Sequence, residues 1–208
     1  MKKIILISPL LSLLWLSLTV ILAGSSYPGY SHVLQFMSEL GAGGSPDGDL
    51  VNYLGFIPTE LFILLFLFAL LKVMHKSRLL VLGVACIAVY ALSLIAAAFY
   101  PCDYQCRPVD PSFSHDMHML FGAIAYLAGI AGVAILAIDS KNWCESKVPL
   151  VSGLLLAVCA FALMLNLDAE LSYVGLVQRC LELLIYVWFL IFGFYVYKSS
   201  LGETESGL

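Results

Sequence analysis

Pro101-Cys-Asp-Tyr-Gln-Cys-Arg-Pro-Val-Asp-Pro-Ser-Phe-Ser-His-Asp-Met-His118 decides how the chain is read, because it separates two apolar runs too long for a soluble core, Leu79 to Phe99 and Met117 to Ile138. A bilayer hydrocarbon core about 30 Å thick takes about 20 apolar residues per helix. Lipid offers no partners for backbone polar groups, and runs apolar on every face satisfy their own only as helices. Working outward, the same pattern recurs at Ile4 to Ala23, Leu54 to Val73, Val148 to Leu167 and Val174 to Tyr197. The predicted fold class is therefore all-α: one domain over residues 1–208, a polytopic membrane bundle of six transmembrane helices. A hydrophobic content of 62% agrees, against about half in soluble domains.

Lys2-Lys3 before an apolar run, with Ala23-Gly-Ser25 after it, also has the outline of a secretory signal. The run exceeds the roughly 7 to 15 residues of a signal core, which favours a retained first helix. Basic residues set the orientation. Lys2, Lys3, Lys72, Lys76, Arg78, Lys141, Lys147 and Lys198 fall at the termini or in the second and fourth connections, whereas the other connections are acidic apart from Arg107. Both termini are thus expected in the cytoplasm, with the chain in the cytoplasmic (inner) membrane and its acidic loops toward the periplasm or exterior. The net charge of −4 is sorted by side rather than gathered in a patch. Membrane lipids are the expected partners, and no nucleic acid is.

The first outer connection is the longest. Val33, Leu34, Phe36, Met37 and Leu40 have helical spacing, with Ser31 as a cap and Gly41 as a stop. A short interfacial helix is expected over Tyr30 to Leu40, with His32 and Glu39 turned toward the bundle or the water. In the second apolar run, after Asn52, the acid in Pro58-Thr59-Glu60 lies at lipid depth, where it costs up to about 2.5 to 3.5 kcal/mol. Glu60 should face the bundle. In the last run Gly175, Gln178, Arg179 and Glu182 share one face. Arg179 and Glu182 could form an internal ion pair, or Arg179 could hold an acid of another helix or an anionic group of a substrate.

This topology brings Glu39, Asp103, His115, His118, Gln178, Arg179 and Glu182 toward one membrane face, with Glu60 below them. His115 and His118 are three apart at a helix start, a spacing that supplies two ligands to one metal. Asp103, with His32 or Glu39, could complete a zinc site with an open position for water. Other readings stay open. Ser112 or Ser114 with His115 and Asp103 could form a nucleophile, base and orienting acid; Glu60, His118 and Glu182 could carry protons in a transport site; or the groups could tie helix ends together. Cys102 and Cys106 are candidates for a local disulfide, or for a zinc half-site. Cys86, Cys144, Cys159 and Cys180 read as reduced thiols.

Tyr27-Pro-Gly-Tyr-Ser31, Met37-Ser-Glu-Leu-Gly41, Asn52, Phe56, Tyr100-Pro-Cys-Asp103, Ser114-His115, His118, Gly175-Leu-Val-Gln-Arg179 and Trp188, in this order along six helices, resemble the prokaryotic membrane family known as domain of unknown function 998. The resemblance covers nearly the whole chain. It implies a six-helix fold with its distinctive polar residues at one face, and no activity. A fainter similarity to alkaline-ceramidase-like membrane hydrolases rests on Asp103 and the histidine pair, without a third histidine on a late helix.

The expected function is an outward-facing polar pocket that handles a lipid or amphiphile. As an enzyme it would be a metal-dependent hydrolase, with Asp103, His115 and His118 as ligands, Glu39 or Glu60 as base, and Arg179 on a phosphate or carboxylate. As a binding protein or proton-coupled transporter it would use Asn52, Gln178, Arg179 and Glu182 as ligand contacts, with Glu60 and Glu182 as proton carriers.

Overall fold

The computed structural model describes residues 1–205, with side chains to Leu201. Six helices carry the fold: α1 Lys2–Ser26, α2 Gly48–Val73, α3 Arg78–Phe99, α4 Phe113–Asp139, α5 Val148–Met164 and α6 Val174–Glu205. Among the described residues there is no strand. All but α5 are long and apolar enough to cross a membrane, and the chain is a multi-pass membrane protein. The 17 residues of α5 span about 26 Å at 1.5 Å each, just short of a bilayer core of about 30 Å.

Local chemistry explains where the helix ends depart from expectation. α4 starts at Phe113 rather than Met117 because Ser112 caps it, its Oγ accepting from His115 N at 3.2 Å. α2 starts at Gly48 rather than Leu54 and includes a π-helical segment, Val51–Phe56, before returning to α geometry at Ile57. Within this segment Asn52 is buried, its Nδ2 donating to Gly41 O at 2.8 Å. α6 runs on past Tyr197 to Glu205, and α5 stops at Met164 rather than Leu167.

α3 and α4 approach closely through glycine. A Cβ on Gly132 would fall 2.5 Å from Ile87 Cδ1 and 3.1 Å from Gly83 O, and one on Gly129 would meet Tyr90 at 2.8 Å. Small residues allow such contact in lipid, where association rests on packing rather than on expulsion of water. The centre holds a buried aromatic cluster of Phe66, Tyr90, Tyr186, Trp188, Phe189 and Phe192, with Trp188 stacked on Phe192 at 4.8 Å between centroids. Leu14, Leu18, Ile21 and Leu22 on α1 are among many apolar side chains left exposed, as befits a lipid-facing surface.

One end of the bundle carries the short connections and the N-terminus. Ser77 caps α3 by accepting from Leu80 N and donates to Asp139 Oδ1 at 2.5 Å, joining the α2–α3 and α4–α5 turns. At the other end the connections 27–47, 100–112 and 165–173 fold together as a cap.

The expected helix over Tyr30 to Leu40 is not formed. Only a single 3₁₀ turn, Ser38–Gly41, is present. Ser31 Oγ does receive Val33 N and Leu34 N, and the 3₁₀ turn ends at Gly41. The intervening backbone groups are drawn off by other partners: Met37 N donates to Gln178 Oε1 at 2.6 Å, Phe36 O accepts from Tyr30 OH at 2.8 Å, and Gln35 O accepts from Arg179 Nη1 at 3.0 Å. Tertiary hydrogen bonds take the place of a helical ladder.

Candidate functional site

Two arginines hold the cap together. Arg179, on the first turns of α6, donates through Nη1 to Gln35 O and Gly175 O and through Nη2 to Tyr30 OH at 2.5 Å, with His32 Nδ1 at 3.1 Å. Arg107 donates to Ala169 O, to Leu34 O and to Glu39 Oε1 at 3.2 Å, joining all three cap connections. With Glu39 it makes the one ion pair found among the described residues.

Glu39 is fully buried. Besides Arg107 it receives Phe36 N at 3.0 Å and Gln35 Nε2 at 2.8 Å. Burial still pushes its carboxyl above the ordinary carboxylate range, against the pull of these donors and of both arginines. His32 is pushed down by desolvation and by Arg179, which favours a neutral imidazole able to accept from the guanidinium. Asp103 is held low by the Ser112 backbone N–H and then its hydroxyl, at 2.8 and 2.7 Å.

Beneath the cap lies a cavity of about 370 Å³. Phe36, Met37, Ser38 and Cys106 roof it; Leu94, Ala97 and Ala98 of α3, Gly122, Ala123 and Leu127 of α4, and Met164 of α5 wall it; Glu60, Tyr126, Gln178 and Glu182 give it a polar base. Met119 and Leu127 line it and are each 52% exposed, so the cavity reaches the lipid-facing side of α4. Gly122 faces open space, a Cβ there having nothing within 4 Å.

The polar base is a directed chain of donors. Met37 N donates to Gln178 Oε1, Gln178 Nε2 to Tyr126 OH at 3.2 Å, and Tyr126 OH to Glu182 Oε1 at 2.9 Å, while Tyr90 OH donates to Glu182 Oε2 at 2.8 Å. Both oxygens of Glu182 are therefore satisfied. Glu60 Oε1 receives Tyr186 OH at 3.1 Å, but its Oε2 is buried with no partner.

Of the residues singled out in the sequence, Asn52, Glu60, His118, Gln178 and Glu182 line this cavity; Glu39, Asp103, His115 and Arg179 lie outside its lining. Arg179 and Glu182 do not pair, because the guanidinium turns up to the cap and the carboxylate down to the tyrosines. The histidines diverge as well. His115 Nδ1 accepts from Asp103 N at 3.3 Å, whereas His118 Nδ1 lies 3.0 Å from both Ala97 O and Tyr100 O at the end of α3. Among the described residues, no three His, Cys, Asp or Glu side chains are grouped to hold a metal ion. Ser112 binds Asp103 and Ser114 Oγ donates to Pro101 O, so neither is set against His115 as a nucleophile. Cys102 and Cys106 form a disulfide in the cap.

Sequence reasoning passed over Tyr90, Tyr126 and Tyr186, which supply the hydroxyls to both buried acids. A tyrosine in an apolar run opposite a buried acid is the signal that finds them. Residues 10–195 match the model of a family described as a protein of unknown function, DUF998. No curated protein and no solved structure matches the chain.

Proposed function

We propose that this chain, which belongs to the DUF998 family, is a membrane protein that binds an amphiphile in the cavity beneath its cap. In this reading all six helices cross the cytoplasmic membrane, with both termini in the cytoplasm and the cap toward the periplasm or exterior. The observation that carries it is the cavity itself. Its walls are apolar, its base is polar, and half-exposed Met119 and Leu127 bring its edge to the lipid, a combination suited to a ligand with a tail and a head. Its volume of about 370 Å³ falls at the small end of ligand pockets, roughly 300 to 1,000 Å³, and suits a single short chain better than a whole two-chain lipid.

Binding, alone or as a step of transport, is favoured over metal-assisted hydrolysis by how the candidate ligands are spread: His118 lines the cavity, Asp103 and His115 lie outside its lining, and among the described residues no three His, Cys, Asp or Glu side chains are grouped to hold a metal ion. Glu60 and Glu182, both on the cavity, are the groups available to carry protons in a transport cycle. The test is Gly122→Phe, which puts a ring into open space. In nanodiscs, a single-chain fluorescent amphiphile should bind the wild type saturably and the variant about tenfold or more weaker. Unchanged binding in a variant of wild-type thermal stability overturns the assignment of this cavity.

A further inference from the structure

A second cavity, of about 450 Å³, lies in the cap itself. Tyr27, Ser31, Leu34, Gln35, Tyr104 and Arg107 are among its lining, and Leu34 and Tyr104, 50% and 55% exposed, bring it to the surface. It shares a wall with the cavity beneath the cap. Leu34 and Gln35 line the outer space, and the residues that follow them, Phe36, Met37 and Ser38, line the inner one. Tyr104, Gln105 and Arg107 likewise line the outer space and Cys106 the inner one. Residues 34–38 and 104–107 therefore form a partition one layer of chain thick, with the outside of the cap on one face and the amphiphile cavity on the other.

The disulfide sits at the centre of this partition. It ties Cys106 to Cys102, with Ser38 Oγ 3.5 Å from Cys106 Sγ, and Gly43 N donates to Cys102 O at 2.8 Å. Arg107, the next residue, crosses to Leu34 O and Glu39. Gln105 and Cys106 have φ of 59° and 51°, the left-handed region that side-chain-bearing residues avoid. Such a conformation persists only where the surroundings fix it. Here the disulfide and a hydrogen bond from Cys106 N to Asp103 O at 2.7 Å do so. Cys106 is 8% exposed and lies between the exposed residues Gln105 and Arg107, so the bond runs just under the surface of the cap.

We infer that the partition is a redox gate: the disulfide keeps it shut, and reduction by a dithiol opens the inner cavity to the outside of the cap. One thiolate of the dithiol attacks Cys106 Sγ and the Cys102 thiolate leaves; the second thiolate then expels Cys106. The two cysteines gain two electrons and two protons, and the dithiol ends as a disulfide. Residues 104–106 then relax to ordinary φ, and Arg107 leaves Glu39 and Leu34 O. As the gate of the cavity assigned above, the partition rests on the amphiphile reading for its purpose, but its opening is measured without any ligand.

With Cys86, Cys144, Cys159 and Cys180 replaced by alanine, Leu94→Cys puts one thiol on the α3 wall of the inner cavity. Its modification by sulfonatoethyl methanethiosulfonate, which is charged and enters from water rather than from lipid, is timed in nanodiscs by the mass of the peptide that carries it. The rate should rise about tenfold or more when Cys102→Ser/Cys106→Ser removes the disulfide, and likewise after anaerobic treatment of the disulfide-bearing protein with dithiothreitol and removal of the reagent. Equal rates with and without the disulfide, whether fast or slow, overturn the gate. A rise in the serine variant with none after dithiothreitol overturns reduction as the opening step. Should the serine variant not elute as its parent does, the dithiothreitol comparison alone decides. Neither failure touches the Gly122→Phe result, on which the amphiphile reading stands or falls.

Discussion

Glu39 is buried against Arg107, Gln35 and the Phe36 amide, yet burial raises its carboxyl above the usual range near 4.5. The folded state then keeps a proton at a pH where the unfolded chain has lost it. Because the folded state binds more protons in that window, its stability falls as pH rises. The contribution of Glu39 is fully present below about 4.5 and is lost as pH climbs through the higher folded value. In detergent, the thermal midpoint of the wild type should fall more steeply from pH 4.5 upward than that of Glu39→Gln, which cannot titrate. A variant with the same slope as the wild type removes Glu39 as the source. Arg107→Ala should steepen the wild-type slope and cost about 1–3 kcal/mol at neutral pH, since it strips a donor from a buried acid. Arg107 itself is one-third exposed, which keeps the figure below that for a fully buried pair.

At the scale of elements, the seating of the first connection on α6 depends on one missing side chain. A Cβ on Gly175 would fall 2.1 Å from Gln35 O and 2.8 Å from His32 O, where Leu176 N also donates to Val33 O at 3.1 Å. Gly175→Ala should lift residues 31–40 from the helix at a cost of about 1–3 kcal/mol. Amide exchange there should quicken about tenfold or more, whereas Gly122→Ala, facing open space, should leave it unchanged. Comparable exchange in the two variants contradicts this seating. The contact also shows what sequence could and could not tell. The six helices were legible because apolar runs of about 20 residues have one solution in lipid. Glu60, Gln178 and Glu182 were legible as inward-facing for the same reason, a polar group in lipid being costly. The helix expected over Tyr30 to Leu40 was misread because spacing reports which side chains are apolar, not which distant groups claim the backbone. Gln178, Arg179 and Tyr30 claim it here. For the histidine pair, spacing gives a shared helix face but not what each ring bonds: His118 turns to the carbonyls of Ala97 and Tyr100 and His115 to the Asp103 amide. The tyrosines escaped notice because most of a phenol side chain is apolar, and only its partner reveals the hydroxyl's use.

For the whole molecule, sidedness decides which solution the cap meets. The cap gathers the disulfide Cys102–Cys106, the buried Glu39–Arg107 pair and the roof of the cavity at one end, while Lys72, Lys76, Lys141 and Lys147 belong to the opposite end. In the orientation proposed above, the charge bias puts the basic turns in the cytoplasm. A disulfide in the cap is compatible with that arrangement, because thiols are kept reduced in the cytosol and oxidise outside it. Both arguments favour the proposed exterior cap. Val109 is fully exposed at the cap, and Glu145 sits in the α4–α5 turn at the other end. In a background with Cys86, Cys144, Cys159 and Cys180 replaced by alanine, Val109→Cys should react with a membrane-impermeant maleimide in intact cells. Glu145→Cys should react only after permeabilisation. The reverse pattern inverts the molecule and opens the cavity to the inner leaflet; labelling of both sites in intact cells means that α4, the helix between them, does not cross, and breaks the six-span topology.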